Sequence, residues 1–196
     1  MGFEPTVPVD TAVFETARFG RSRTLPPAIL QEIGGRSFWL LACVDMNEPK
    51  DELFMGQALA AAESASDHDD VPVGAVVVLD GVVIGVGENR RESDQDPTAH
   101  AEIVAIREAV KTLPNWRLDG ATVYVTLEPC LMCAGALLAA RVSRVVIGAT
   151  DEKAGAVGSR YNVLSDPRLL HEIEVTYGVM AKEASQQLSS FFEARR

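Results

Sequence analysis

Between residue 51 and the C terminus, short runs of β-branched residues alternate with segments of helical periodicity. This alternation constrains the fold more than any other feature of the sequence, because each apolar face must be buried against another element. The predicted order of elements is α-β-β-α-β-α-β-β-α. A chain with this order is expected to form an α/β domain in which helices cover both faces of a sheet.

The predicted elements have local boundary signals. Asp80-Gly81 separates two β-branched runs and is typical of a tight antiparallel hairpin. Asp96 and Pro97 suit the cap and first residue of a helix, and Pro129 suits the start of another. The predicted strands span residues 73–79, 82–86, 121–127, 143–147 and 173–177, and the predicted helices span residues 51–66, 97–111, 129–140 and 180–195.

The first fifty residues differ from the rest of the chain. Their prolines lie among short apolar pieces that show no sustained period, at Pro5, Pro8, Pro26, Pro27 and Pro49. We therefore predict that residues 1–50 form a poorly ordered N-terminal extension and that residues 51–196 form one functional domain. Because Met46 immediately precedes this domain, we expect residues 1–45 to be dispensable and Met46 to be a candidate translation start.

The composition excludes several classes of protein. Hydrophobic residues make up 47% and charged residues 23% of the chain, as in a globular protein. No apolar run approaches the roughly 20 residues of a membrane-spanning helix, and the acidic, proline-containing N terminus lacks the pattern of a secretory signal. We therefore expect a cytoplasmic protein. The net charge of −10 argues against nonspecific nucleic-acid binding, so any nucleic acid must contact a local basic patch.

Two of the three cysteines, Cys130 and Cys133, are spaced to hold one metal ion. They share one face at a helix start, where the helix dipole favours the thiolates that zinc requires. His100, near the start of another helix, is the candidate third ligand. Three protein ligands leave one coordination position open, as in a catalytic zinc site. The odd number of cysteines argues against a disulfide framework.

Glu102 is the candidate catalytic acid and base. It lies two residues from His100, a spacing that turns the two side chains about 200° apart on a helix, so it is not expected to bind the same ion. An acid beside a water molecule that a metal activates can accept a proton from that water and deliver it to a substrate.

The residues around these positions form a known motif. His100-Ala101-Glu102 and Pro129-Cys130-Leu131-Met132-Cys133 match the H-x-E…P-C-x-x-C signature of zinc-dependent nucleobase deaminases. Longer strings resemble bacterial tRNA-specific adenosine deaminases, which belong to the cytidine/deoxycytidylate deaminase-like superfamily. These strings are PVGAVVV at 72–78, DPTAHAEI at 96–103, ATVYVTLEPCLMCAGA at 121–136 and the C-terminal FFEARR. The resemblance covers residues 50–196.

The resemblance implies an activity, a fold and a set of site residues. It implies hydrolytic deamination of adenosine to inosine at the wobble position of a tRNA anticodon, by a homodimer with one Zn²⁺ per chain. It implies a cytidine deaminase-like, three-layer α/β/α fold with a five-stranded mixed sheet. Glu102 would be the proton shuttle. The tRNA anticodon arm would be the partner, and the implied substrate-binding residues are Asn89, Ala101, Asp151, Lys153 and Phe192.

The chain departs from this resemblance at several positions. Ala139 and Ala140 replace side chains that tend to be polar, the pair Arg160-Tyr161 replaces a more apolar pair, and the first fifty residues have no recognised counterpart. The pairs Arg90-Arg91 and Arg195-Arg196 could supply a basic patch for tRNA or could be solvated charge.

Two other functions remain open from the sequence. One is deamination of a free base or nucleoside, such as cytosine or guanine, which uses the same zinc signature; the loop at 149–161 and the C-terminal helix favour RNA instead. The other is a non-catalytic zinc or redox module built on Cys130 and Cys133. Glu102 argues against that module, because neither role needs an acid at its position.

Overall fold

The computed structural model describes residues 50–169 and 171–196, together with two short antiparallel strands at Glu32–Ile33 and Arg36–Ser37. We expected the N-terminal extension to be poorly ordered and dispensable, and Met46 to be a translation start. Apart from the two short strands, these predictions concern residues outside those that the structure describes. In the part of the chain that is described, no helix is both long enough and apolar enough to cross a membrane.

The main domain contains five strands and four helices in the predicted order. The strands are β1 (Gly74–Leu79), β2 (Val82–Glu88), β3 (Thr122–Leu127), β4 (Arg144–Ala149) and β5 (Glu174–Tyr177). The helices are α1 (Lys50–Ser66), α2 (Ala101–Lys111), α3 (Leu131–Ala139) and α4 (Ala181–Glu193).

The five strands form one mixed sheet in the order β2-β1-β3-β4-β5. Strand β1 is antiparallel to both β2 and β3, whereas β3, β4 and β5 are parallel to one another. The hairpin between β1 and β2 turns at Asp80 and Gly81, whose φ angles of 53° and 77° are those of the predicted tight turn. The expected five-stranded mixed sheet is therefore confirmed.

Alternate residues of each strand supply two separate apolar layers. Ala75, Val77, Val123 and Val125 pack with residues of α2 and α3, whereas Val76, Val78, Tyr124 and Val146 pack with residues of α1 and α4. The period of two along a strand produces this division, because successive side chains point to opposite faces. Two helices on each face give the predicted three-layer α/β/α fold.

Close packing brings the start of α2 against the sheet. A Cβ atom at Gly87 of β2 would clash with the carbonyl oxygen of Ala101 and with the backbone nitrogen of Ala105. Only glycine allows the two backbones to approach this closely. The residues at the start of α2 are thereby fixed against strand β2.

Two predicted helix starts are wrong. Helix α2 begins at Ala101 rather than at residue 97, because the Asp96 carboxylate accepts hydrogen bonds from the backbone N–H and the hydroxyl of Thr98, at 2.8 and 2.7 Å, and so caps a turn. Helix α3 begins at Leu131 rather than at Pro129. His100 and Cys130 therefore precede the two helices as N-cap residues.

Candidate metal and catalytic site

His100, Cys130 and Cys133 come together where the N termini of α2 and α3 meet. His100 and Cys130 occupy the N-cap positions with extended backbone, at φ/ψ of −73°/153° and −74°/175°, and Cys133 lies in the first turn of α3. The Nδ1 atom of His100 lies 3.7 Å from the Sγ atom of Cys130 and 3.5 Å from that of Cys133. All three donor atoms lie within 4.8 Å of one another.

This arrangement fits a tetrahedral zinc ion. With Zn–S bonds of about 2.3 Å and a Zn–N bond of about 2.0–2.1 Å, tetrahedral angles place nitrogen and sulfur about 3.6 Å apart. The observed separations of 3.5 and 3.7 Å match that value. Two thiol sulfurs and one imidazole nitrogen are also the donor types that zinc prefers.

The local electrostatics favour a cation at this point. Hydrogen bonds from the Cys133 thiol and from His100 lower the pKa of Cys130 to about 3, which makes its sulfur a thiolate. The hydrogen bond that Cys133 donates to Cys130, together with burial, raises the pKa of the Cys133 thiol. A divalent cation between the two sulfurs would stabilise both as thiolates, because its charge opposes the repulsion between them.

Glu102 is buried beside this cluster but is not part of it. Its residue surface is only 3% exposed, and the set of side chains that could hold one ion consists of His100, Cys130 and Cys133. Burial raises the pKa of Glu102, whereas hydrogen bonds with its own backbone N–H and with Cys133 act in the opposite direction. A buried carboxyl group next to the donor atoms is placed to exchange protons with a reacting molecule bound there.

Asn89 lies immediately after β2 and is held next to the His100 segment. Its side-chain nitrogen donates a hydrogen bond of 3.1 Å to the carbonyl of Val71, and the backbone N–H of Arg90 donates one of 2.9 Å to the carbonyl of Ala99. The Oδ1 atom of Asn89 is buried and has no hydrogen-bonding partner among the described residues. Because buried polar atoms are normally paired, this oxygen is available to a ligand.

A network of acidic residues anchors the loop that follows Asn89. Asp70, which is fully buried, accepts hydrogen bonds from the backbone N–H groups of Glu92 and Ser93 at 2.8 and 3.0 Å. Glu88 accepts one of 3.0 Å from Arg90. The sequence showed Asp70 only as part of a polar break, since its partners lie more than twenty residues away in the chain.

The loop after β4 carries Asp151 and Lys153. Asp151 accepts hydrogen bonds from the backbone N–H groups of Lys153 and Ala154, at 2.8 and 3.2 Å, so its side chain shapes the loop. Lys153 is exposed and lines an open cavity of about 530 Å³ that Cys130 also lines. The structure therefore brings Lys153, but not the Asp151 carboxylate, to the opening that Cys130 lines.

Glu128, which sequence reasoning missed, holds this loop to the start of α3. Its carboxylate accepts hydrogen bonds from the hydroxyl of Ser159 and from backbone N–H groups at 2.9–3.1 Å, namely those of Asp151, Val157, Gly158 and Ser159. Burial acts to raise its pKa, but the hydrogen bonds from Ser159 and the backbone outweigh it and lower that pKa to about 2. Its place directly before Pro129-Cys130 was the one available signal.

We expect Glu128→Ala to lower the free energy of unfolding by about 3 kcal/mol, because several buried donors would lose a charged acceptor. Glu152→Ala is the matched control, since Glu152 is exposed in the same loop and its loss should change stability by less than about 0.5 kcal/mol. Urea unfolding of the metal-loaded proteins measures the difference, and amide hydrogen exchange at residues 157–159 locates it. Equal stability of the two variants would contradict this role.

The remaining predicted residues differ in exposure and in their place in the fold. Phe192 is on α4, which packs on the opposite face of the sheet, and it is 50% exposed. Ala101 is fully buried as the first residue of α2. Within the arginine pairs, Arg90 is neutralised by Asp94 and Glu88, and Arg195 pairs with Asp69. Among the described residues no carboxylate pairs with Arg91 or Arg196.

Comparison with known proteins agrees with this geometry. Residues 48–149 match the family described as the cytidine and deoxycytidylate deaminase zinc-binding region. The chain is 51% identical over 147 residues to a tRNA-specific adenosine deaminase of Haemophilus influenzae, an alignment that covers 74% of this chain and 85% of the relative.

Two solved structures are similar to the main domain. One, from work on A-to-I editing by tRNA:A34 deaminases at the wobble position of transfer RNA, is 48% identical, with a TM-score of 0.67 and coverage of 69% of this chain and 99% of that one. The other is a guanine deaminase of Nitrosomonas europaea, which is 26% identical, with a TM-score of 0.60 and coverage of 74% and 84%. The chain therefore belongs to the cytidine and deoxycytidylate deaminase family, and within it to the tRNA-specific adenosine deaminases.

Proposed function

We propose that this protein hydrolyses adenosine to inosine at the wobble position of a tRNA anticodon, with one Zn²⁺ per chain. The observation that carries the proposal is the convergence of His100 Nδ1 and two cysteine sulfurs at zinc-binding distances, with Glu102 buried beside them. The substrate is inferred from the tRNA-specific adenosine deaminases to which the chain is about half identical.

The metal would be held by His100, Cys130 and Cys133. When bound, zinc supplies the nucleophile by lowering the pKa of water toward about 7. Glu102 accepts the proton that this water loses as its oxygen bonds to C6 of adenine. The same carboxyl group delivers the proton to ring N1, which receives the electron pair of the C6–N1 double bond.

A second proton transfer completes the reaction. Glu102 accepts the remaining proton of the attacking oxygen and passes it to the exocyclic amino group. The C6–N bond then breaks, ammonia leaves, and the C6 carbonyl of inosine forms. Adenosine and water are thus converted into inosine and ammonia, and Glu102 returns to its starting protonation state.

The substrate contacts form part of the same proposal. We assign the Asn89 side-chain oxygen to the flipped base, because it is buried without a partner among the described residues and its segment pairs with that of His100. Ala101 would form a wall of the base pocket. Lys153 would contact the anticodon backbone, Asp151 would act through the shape of its loop, and Phe192 would lie near the RNA.

We further propose that the protein acts in the cytoplasm, where its tRNA substrate would be found, and that it works as a homodimer. The tRNA substrate in the name of the relative supports the location. The homodimer is what the resemblance given in the sequence analysis implies. Sedimentation of the zinc-loaded protein at micromolar concentration would distinguish a dimer from a monomer.

Deamination of a free base is the second candidate function, because the sheet and helices also resemble those of a guanine deaminase. The lower identity to that enzyme, 26% against 48%, favours the RNA substrate. A simple cysteine redox pair is the least favoured function. It would need neither the approach of His100 to both cysteines nor the buried Glu102 beside them.

We expect kcat/KM for an anticodon stem-loop to exceed that for free adenosine by at least about 10²-fold. The reason is that contacts to remote nucleotides provide binding energy that is used at the reacting base. Inosine formation from the stem-loop would be measured beside deamination of free adenosine, cytidine and guanine. A preference for any free base or nucleoside would transfer the assignment to the second candidate.

A further inference from the structure

The open cavity beside Cys130 is lined by two side chains, those of Arg160 and Tyr161, to which the proposed function assigns no role. Lys153, Arg160 and Tyr161 line this cavity of about 530 Å³ together with Cys130 and Leu131. Cys130 is a candidate metal ligand, so a base that reaches the candidate metal site would bring the nucleotides attached to it close to this cavity.

Lys153 and Arg160 carry charge that is not neutralised within the protein. In the described parts of the chain, no carboxylate lies within 4.0 Å of either side chain. By contrast, Arg90, Arg117 and Arg168 each pair with an acidic residue. Two uncompensated cations at one opening, in a chain of net charge −10, are complementary to a phosphate backbone.

Tyr161 presents an aromatic ring at the same opening. The residue is 51% exposed, so a large part of its side chain is accessible at this opening. A ring of this kind offers a face on which a nucleobase can stack, and unpaired RNA bases are commonly bound in this way.

The loop that carries these residues is fixed before any ligand arrives. The backbone N–H of Arg160 donates a hydrogen bond of 3.1 Å to the carbonyl of Gly155, and that of Val163 donates one of 3.0 Å to the carbonyl of Ala156. Glu128 holds the preceding residues, as described above. A preformed loop loses little conformational freedom on binding, so its contacts contribute more fully to affinity.

We propose that Tyr161 and Arg160 bind a nucleotide that adjoins the reacting adenosine in single-stranded RNA. Tyr161 stacks on the neighbouring base, Arg160 contacts a phosphate, and Lys153 adds charge at the same opening. The inference rests on the proposed function, because it assigns the flanking part of that substrate. A second copy of this chain is the competing occupant of the surface.

The test compares Tyr161→Leu and Arg160→Gln with the parental enzyme on an anticodon stem-loop. We expect Tyr161→Leu to raise the half-saturating RNA concentration at least about 5-fold, with little change in the maximal single-turnover rate. Tyr161→Phe should keep the parental value, because it keeps the ring. Arg160→Gln should reduce the slope of log affinity against log salt by about 0.7, the contribution of one phosphate contact in single-stranded nucleic acid.

Trp116→Leu and Arg117→Gln are the matched controls. Trp116 is 57% exposed and Arg117 lies 5.5 Å from its ring centroid, but Arg117 is paired with Asp119 and both residues lie beyond the C-terminal end of α2. The metal-binding residues lie at the other end of that helix. Neither control should change RNA binding or its salt dependence.

Four results would overturn the proposal, namely parental binding by Tyr161→Leu, an unchanged salt slope for Arg160→Gln, equal losses in the controls, or a changed oligomeric state of Tyr161→Leu in sedimentation. The last would assign the surface to a second copy of the chain. RNA binding is measured by anisotropy separately from turnover, so a parental enzyme that binds the stem-loop without deaminating it would contradict the proposed function alone.

Discussion

Glu102→Gln is expected to lower the rate of adenosine deamination by at least about 10²-fold while zinc stays bound. Glutamine keeps the shape of the side chain and can still form hydrogen bonds, but it cannot carry a proton from the attacking water to N1 or to the leaving amino group. Glu102 is only 3% exposed, so bulk water has little access to replace it as a proton carrier. Both proton transfers should therefore become slow.

Single-turnover measurements at saturating stem-loop isolate this effect, because they report the chemical step without product release. Glu108→Gln is the matched control, since Glu108 lies on the same helix and pairs with Lys111 at the surface. It should deaminate at the parental rate. Loss of zinc from Glu102→Gln would indicate that Glu102 is a metal ligand, and a nearly parental rate would indicate that Glu102 does not take part in catalysis. Either result contradicts the mechanism.

The fold could be predicted from the sequence because its determinants are local. The β-branched runs, the Asp80-Gly81 turn and the helical periods each act over a few residues, and they gave all five strands and four helices of the main domain in order. The start of α2 was misplaced because Asp96 and Pro97 are equally suited to a turn. A local pattern did not distinguish a capped helix from a capped turn.

The candidate metal-binding residues could be identified from the sequence for a similar reason. Cys130 and Cys133 are close in sequence, and the motif around His100 supplied the third residue. The roles of Glu128 and Asp70 could not be predicted, because the groups that they bind lie 22–31 residues away in the chain. Such partners become neighbours only when the loops are folded.

The net charge gave an incomplete constraint on the RNA-binding surface. It required a local basic patch for RNA, and the arginine pairs were the evident candidates. Among the described residues, Arg90 and Arg195 are neutralised by nearby carboxylates, whereas Arg91 and Arg196 are not. Lys153 and Arg160 are also uncompensated, and they lie at the opening beside Cys130. The number of charges in the sequence cannot distinguish a paired cation from an unpaired one, because pairing depends on which carboxylate each side chain reaches in the folded protein.

Replacing either cysteine of the cluster should remove both the metal and the activity. We expect the parental protein to hold about one zinc per chain, and Cys130→Ala and Cys133→Ala to hold almost none, because each retains only two protein ligands. Deamination should then fall below detection, since the nucleophile depends on the bound ion.

Cys43→Ala is the control, because Cys43 is the one cysteine outside the motif, and it should keep its zinc and its rate. Metal content by mass spectrometry, measured together with circular dichroism to verify folding, separates lost ligands from lost structure. Folded Cys133→Ala with full zinc would refute the ligand assignment. The comparison with Glu102→Gln then tests the proposed division of roles, in which the cysteines hold the ion and the glutamate moves the proton. Both variants should be inactive, but only Glu102→Gln should still contain zinc.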